Sequence, residues 1–297
     1  MNSNLSNLTI NILTYKTDKE ILKKCIKSID KSIAINIIEN SNKFENKDYL
    51  SDLNYNINII CTGNNLGYSG GHNYGISKVK TRYVLILNPD LICLDGYFEK
   101  IQKYLNNNVN FNIIGSQYQK EKMNKPAYGL FNYKGYNPKI KENKYNLQSV
   151  DWVVGCSMLI DLDKFSNKNI FDENFFLFYE ETDLCRNVKS NGGNVFSSKD
   201  LIIDHYGEKG SFAILPDKKY SYIKLRNWHL MWSSFYYYKK NYSYNHAFKL
   251  LFSQLIKSFI KFIFFGLLLN KHNYTKHLFR FLGLTNSMLG KKSWFRV

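Results

Sequence analysis

Several things are scarce in this sequence, and each shortage narrows what the chain can be. The 297 residues include five cysteines, at 25, 61, 93, 156 and 185, with no C-x-x-C among them. An odd, scattered set argues against a disulfide framework and suits a reducing compartment. Met1 to Leu8 is polar and Asn-rich. It lacks the charged, then apolar, then small order of an export signal, so the expected location is the cytoplasm. After Lys261 the uncharged run Phe262 to Leu269 is shorter than the roughly 20 residues a bilayer span needs. No internal repeat is found, and no G-x-G-x-x-G, so a dinucleotide fingerprint is unsupported.

Acid is missing altogether from residues 218–297, which carry 15 Lys or Arg. Of the net charge of +17, +15 sits there, because residues 1–217 hold 26 basic against 24 acidic side chains. This reads as a nearly neutral domain, 1–217, followed by a basic region, 218–297. A basic region attracts nucleic acid or anionic lipid. Aromatics and lysines interleave from Tyr236 to Lys249, but no nucleic-acid motif accompanies them, and nucleic acid is not expected as a partner. Residues 220–240 and 245–269 are helical candidates. On the second, Lys249, Ser253, Lys257 and Lys261 recur along one side. Phe248, Leu251, Phe252, Leu255, Phe259, Phe262 and Ile263 fill the other. Such a helix lies on a membrane in preference to spanning it. The alternative is that its apolar side packs on the rest of the chain.

The whole chain is 44% apolar, enough for a core, and residues 1–217 alternate strand with helix. Strands are expected at Leu8–Leu13, Ile33–Ile38, Ile57–Cys61, Tyr83–Leu87 and Phe111–Ser116. Short strands are expected at Asn194–Ser197 and Leu201–Asp204. Helices are expected from Asp18 to Asp30, Asn73 to Lys80, Asp95 to Asn107 and Glu181 to Ser190. Residues 62–71 are a Gly/Asn loop, and 118–149 an irregular one. Alternation of this kind gives a mostly parallel central sheet with helices on both faces. Right-handed crossovers put the strand ends on one edge. Thr14-Tyr15, Glu39, the Gly/Asn loop and Asp90 then converge on one crevice.

Residues 82–90, Arg-Tyr-Val-Leu-Ile-Leu-Asn-Pro-Asp, stand at its centre. Pro89 has no N–H to donate and stops the strand, presenting Asn88 and Asp90 at its carboxyl end. That is either an Asx-type turn or an oxygen-rich place for Mg²⁺ or Mn²⁺. Glu180, Glu181 and Asp183 open a helix after the apolar run Phe175 to Tyr179. They read as first-turn capping or as a base whose pKa is raised by apolar neighbours. His205 ends a strand as a core histidine or as a metal ligand. The glycines of the Gly/Asn loop serve a flexible turn or a close approach of backbone to ligand.

Taken in order, these segments resemble the inverting family-2 glycosyltransferases of the GT-A, nucleotide-diphospho-sugar transferase fold. The similarity is greatest to the rhamnosyltransferase-like branch that builds bacterial surface polysaccharides such as capsule and O-antigen. It runs from about residue 8 to 240. Ile37-Ile38-Glu39-Asn40-Ser41 resembles the family's Val-Asp-Asn-Gly-Ser, with Glu39 in place of Asp. Asn65 to Ile76 matches its Asn-Leu-Gly loop, and Leu87-Asn88-Pro89-Asp90 its Asp-x-Asp motif. Asp151 to Gly155 resembles the acceptor-side strand. Phe171 to Cys185 resembles the Glu-Asp motif that supplies the base, and Tyr222 to Asn227 a Tyr-x-x-x-Arg-Asn helix start.

The resemblance implies a metal-dependent, single-displacement transfer from a dTDP- or UDP-sugar to a hydroxyl of a glycan or lipid-linked saccharide. Glu181 is the implied base, with Glu180 and Asp183 beside it. Asp90 and His205 are the implied metal ligands. Thr14, Tyr15 and Glu39 would hold the nucleoside. Asn65, Gly70, His72, Asn73, Asn88 and Arg226 would line the rest of the donor site. Trp152 and Gly155 would meet the acceptor. The expected setting is the inner face of the cell membrane, as a peripheral protein that can self-associate. The rivals are a sugar-phosphate nucleotidyltransferase and a non-catalytic sugar-binding or scaffold protein of the same fold.

Overall fold

The computed structural model describes residues 4–45, 49–50, 52–119, 127–131, 140–205 and 218–296. They form two compact units. The first comprises Met1–Leu66, Gly70–Phe171 and Glu181–Ala213; the second Gly67–Ser69, Asp172–Glu180 and Ile214–Val297.

The first unit is built on a sheet. Its strands are β1 Leu8–Thr14, β2 Ala34–Glu39, β3 Ile57–Cys61, β4 Tyr83–Leu87, β5 Leu91–Cys93, β6 Ile113–Tyr118, β8 Leu147–Ser149, β10 Ser157–Asp161 and β11 Val195–His205. The order is β3-β2-β1-β4-β10-β6-β11-β5, with β8 also on β11. Pairs β1–β2, β1–β4, β2–β3 and β6–β11 are parallel, while β10 runs antiparallel between β4 and β6. A separate pair joins β7 Tyr128–Gly129 to β9 Trp152–Val153. The chain reverses direction of growth between β1 and β4, which opens a crevice outside their carboxyl ends.

Side chains alternate across a strand, so residue parity assigns each helix to a face. Ile10, Ile12, Ile35 and Ile37 share one buried core with Leu22, Cys25 and Ile26 of α1 (Lys19–Lys27) and Ile101 of α3 (Tyr97–Asn106). The opposite parity faces α2 (Gly67–Ser77). A Cβ on Gly71 would sit 2.5 Å from Leu13 Cδ1, and one on Gly75 2.7 Å from Ile38 Cγ1. Helices therefore cover both faces, as the strand–helix alternation implied. On the α2 face, Asn36 donates to Asn11 Oδ1 (3.1 Å) and Asn58 to Asn36 Oδ1 (3.3 Å), a ladder that satisfies those two oxygens and leaves Asn11 Nδ2 without a hydrogen bond.

Four local expectations need correction. The Gly/Asn stretch is a loop only as far as Leu66; helix α2 begins at Gly67 and not at Asn73. Its glycines permit close helix–sheet packing, a use that composition does not separate from a flexible turn. Helix α3 is not capped by Asp95: Gly96, at φ 79°, stands before Tyr97 without a side-chain cap. The two short strands after Asn194 are one strand, β11, with a register shift between Ser197 and Ile202. Within 118–149, β7, β8 and a Glu142–Gln148 bridge give order where an irregular loop was expected. Residues 120–126 and 132–139 of that loop lie outside the described residues.

The second unit gathers Asp172–Glu180 against α5 (Lys218–Asn241), α6 (Tyr244–Leu267) and α7 (Lys271–Met288). Trp228 is fully buried, stacked on Trp232 and Phe295. A Cβ on Gly283 would meet the Trp228 carbonyl at 2.2 Å, so α5 and α7 cross at glycine distance. Phe175 packs edge-on to Tyr236, and Phe176 stacks on His229 at 4.6 Å. Ser233 donates to the Leu177 carbonyl (2.8 Å), and Lys240 pairs with Asp172 (2.8 Å). On α6, Leu251, Leu255 and Phe262 turn partly inward, whereas Phe248, Phe252, Phe259 and Ile263 stay exposed. The whole helix, lysines included, is long and apolar enough to cross a membrane, which the uncharged run alone is not.

Candidate active site

At the carboxyl ends of β1 and β2, polar side chains form one network. Thr14 Oγ1 donates to Glu39 Oε2 (2.7 Å), and Ser41 Oγ to Glu39 Oε1 (2.7 Å). The Lys16 N–H reaches Oε1 at 3.5 Å. Lys16 itself sits at φ 48°, a left-handed turn just past Thr14. Glu39 is only 3% exposed, so its longer side chain folds back onto its own strand end. Asn40 takes the Leu66 N–H (2.9 Å) and donates to Asn65 (3.1 Å), pinning the start of α2 to β2. Thr14, Tyr15, Glu39 and Asn65 are thus together, as the crossover argument required.

Asp90 follows β4 by three residues, and its neighbour β5 pairs antiparallel with the end of β11. The register sets Leu91 opposite His205. That register carries Asp90 to His205: Asp90 Oδ1 lies 3.5 Å from His205 Nε2. Tyr118, at the end of β6, stacks on the His205 ring at 5.7 Å and 13°. Its hydroxyl meets Cys156 Sγ at 3.6 Å, and the Asn88 N–H donates to the Cys156 carbonyl (2.8 Å). Burial pushes the Cys156 thiol up to about 12, and Asp90 and Glu181 both add to the rise. Burial raises the Tyr118 phenol as well, again with Glu181 and Asp90 contributing. The two carboxylates therefore act on one spot from opposite directions in the sequence. Tyr118 and Cys156 were not singled out from the sequence. Tyr118 ends a strand on the same edge as Asp90, which was the available signal.

Glu181 opens α4 (Glu180–Ser190). Its Oε2 is buried without a hydrogen-bond partner. Burial pushes the carboxyl from 4.5 up to about 7, against a partial pull downward from the backbone N–H groups of Glu181 and Thr182. Such a group accepts a proton readily near neutrality. Glu180 and Asp183 are also buried on this first turn. The turn before it is strained: Phe178 and Tyr179 both stand at φ 70°. Non-glycine residues held there cost about 1–3 kcal/mol each and concentrate at functional sites. No sequence signal marks them, since neither is Gly, Asn or Asp.

Other expected site residues lie differently. His72 has no exposed surface, and burial lowers its pKa to about 3, so it is a neutral core residue beside Phe171. Asn73 is 1% exposed and exchanges hydrogen bonds with the Phe171 backbone (2.9 and 3.0 Å). Both side chains are buried, and the Asn73 bonds tie α2 to Phe171. Gly70 is buried, and a Cβ there would meet Leu66 Cβ at 2.9 Å. Trp152 is half-buried, its indole laid across Gly129, with Gly155 buried nearby in sequence. Arg226 lies in the second unit, on α5. Its Nη1 donates to Tyr222 (2.9 Å), which explains the i, i+4 spacing of that pair.

The model for glycosyl transferase family 2 matches residues 9–165. The chain belongs to glycosyltransferase family 2. That match takes in Thr14, Glu39, Asn65, Asp90 and Trp152, and family 2 membership accords with the GT-A-like sheet described above. Among curated relatives, the low-salt glycan biosynthesis hexosyltransferase Agl10 of Haloferax volcanii is 28% identical over 201 residues, 64% of each chain. The rhamnosyltransferase WbbL of Escherichia coli K12 is 24% identical over 57% of this chain and 69% of its own. The structure of GalNAc-T7 with UDP, GalNAc and Mn²⁺ superposes with TM-score 0.58 at 12% identity, over 80% of this chain and 51% of that one. The alignment thus spans less than two thirds of Agl10 and about half of GalNAc-T7.

Among the described residues no three His, Cys, Asp or Glu side chains group to hold a metal. Asp90 and His205 are a pair, one carboxylate and one imidazole in contact, with His205 Nδ1 buried and lacking a hydrogen-bond partner. Two protein ligands and open positions suit a divalent ion that also takes phosphate oxygens.

Proposed function

We propose that the chain transfers a sugar from a nucleoside diphosphate donor, UDP- or dTDP-linked, to a hydroxyl of a glycan or lipid-linked saccharide, with inversion. The convergence of Asp90, His205 and Glu181 on one crevice carries the reading. The acceptor hydroxyl attacks the anomeric carbon from the face opposite the diphosphate. Its proton passes to Glu181, the new C–O bond forms, and the bond to the diphosphate breaks. A single displacement of this kind inverts the anomeric centre. When bound, a divalent cation held by Asp90 and His205 would offset charge on the departing diphosphate. The Thr14–Glu39 network would position the nucleoside, and Trp152 would offer an aromatic face to the acceptor. The desolvation of the Glu181 carboxyl supports its role, because a base with a pKa near the working pH is efficient.

Agl10 is a hexosyltransferase of glycan biosynthesis and WbbL a rhamnosyltransferase. They support a hexose or deoxyhexose donor and a role in glycan biosynthesis. The free, mostly buried cysteines fit the reducing cytoplasm. The test is a panel of nucleoside diphosphate sugars screened by thermal shift with Mn²⁺, followed by release of nucleoside diphosphate from the best donor. Stabilisation and release with one sugar are expected, with the product anomer inverted by NMR. No release from any donor, or a retained anomer, would contradict the proposal.

A further inference from the structure

Helix α6 has three faces. One, marked by Ala247 and Ser258, is buried against its neighbours in the second unit. Phe262 lies 5.7 Å from Phe281, and Phe265 stacks on His277 at 5.8 Å. The face opposite is apolar and open: Phe252, Ile256, Ile260 and Ile263 are 42–58% exposed, while Phe259 borders it with its ring 5.4 Å from Phe281. Between them runs an edge bearing Lys257 and Lys261, and Lys249 stands at the N-terminal end of the open face. The end of α6 and the turn after it add three more exposed leucines, Leu267 at 80%, Leu268 at 60% and Leu269 at 90%. Leaving this much contiguous apolar surface in water is unfavourable, and monomeric soluble proteins rarely do so.

Charge identifies what covers it. Residues 218–297 contain no acid. A second copy docking through the same face would bring lysine edges together with no carboxylate from this region to pair them. A bilayer with anionic headgroups meets both demands at once, apolar core and negative rim. Spanning is disfavoured by the packing: α6 has one face covered by α5 and α7, which carry Lys239, Lys240, Lys271, Lys276 and Arg280. Crossing the membrane would drag those charges toward the hydrocarbon.

We infer that α6 and the Leu267–Leu269 turn form a membrane-docking surface that lies in the plane of an anionic bilayer, with the leucine turn inserted between acyl chains. The inference concerns residues 244–269 alone and stands whether or not catalysis follows the proposed route.

The test uses the full chain in flotation with vesicles of phosphatidylcholine, with and without 30% phosphatidylglycerol. Binding to the anionic vesicles is expected in about 50 mM salt, weakening in about 500 mM as exposed charges are screened, and falling strongly on neutral vesicles. Leu268→Ser/Leu269→Ser, at exposed positions, should melt like the parent and bind at least about tenfold more weakly. Lys257→Gln/Lys261→Gln should reduce preference for anionic over neutral vesicles by about tenfold or more. Absence of flotation at low salt overturns the inference, as does flotation that neither variant alters. A stable dimer by light scattering that the leucine variant breaks would assign the face to a second copy instead. Vesicle-bound protein that alkaline carbonate cannot strip would make α6 a span.

Discussion

Replacing Glu181 by Gln keeps the size of the side chain and removes its charge. Burial holds the carboxyl at about 7, against an ordinary 4.5. In the unfolded chain the proton is released near 4.5; in the folded chain it is kept until about pH 7. Between those values the folded state binds more protons, so stability falls as pH rises. Below about pH 4.5 both states are protonated and the penalty vanishes. Above about pH 7 it is present in full. The difference of about 2.5 units corresponds to about 3 kcal/mol of destabilisation. Glu181→Gln should therefore be more stable than the parent by up to about 3 kcal/mol at pH 8, with the gain shrinking toward zero at pH 4.5. The same substitution should reduce turnover by about 10²–10⁴-fold, the usual worth of a general base. Urea melts of both proteins from pH 4.5 to 8, without added metal or donor, read the first effect, and initial rates read the second. A pH-independent stability difference, or a Gln variant that is the weaker protein at pH 8, would refute the burial argument.

Three further outcomes are expected. If Glu181 must be ionised to take the proton, kcat/KM should fall about tenfold per pH unit below about pH 7 and level off above it, as a pH–rate profile on the best donor would record. Gly71→Ala should lose about 1–3 kcal/mol in a denaturant melt, because its Cβ would stand 2.5 Å from Leu13 Cδ1 in a packed helix–sheet contact. Arg82→Ala should lose about 2 kcal/mol, since Arg82 clamps Asp161 with bonds of 2.9 and 2.7 Å and the Asp161 side chain is 2% exposed.

The sheet was legible because its strands are short apolar runs closed by breakers, and because crossover handedness leaves few arrangements. That logic put Thr14, Glu39 and Asp90 on one edge before any coordinates. Pairing His205 with Asp90 needed more: the β5–β11 register that joins them runs against the parallel pattern, and a three-residue strand leaves little trace in sequence. Periodicity could not separate a flexible Gly/Asn loop from a helix whose glycines admit a sheet, so α2 was begun six residues late. The same ambiguity hides that His72 and Asn73 are buried on that helix. Phe178 and Tyr179 take a left-handed turn that their residue types disfavour, and only tertiary packing explains it. On α6 the apolar side was visible, but which part of it the neighbouring helices cover was not.

The proposed reaction requires Asp90 and His205 to hold one divalent ion at the donor site. Calorimetric titration of the best nucleoside diphosphate sugar, with Mn²⁺ and with chelator, tests it most directly in the parent and in Asp90→Ala. The parent should bind markedly tighter with Mn²⁺, and Asp90→Ala should bind equally weakly in both. Mn²⁺-dependent affinity that survives unchanged in Asp90→Ala would contradict the account.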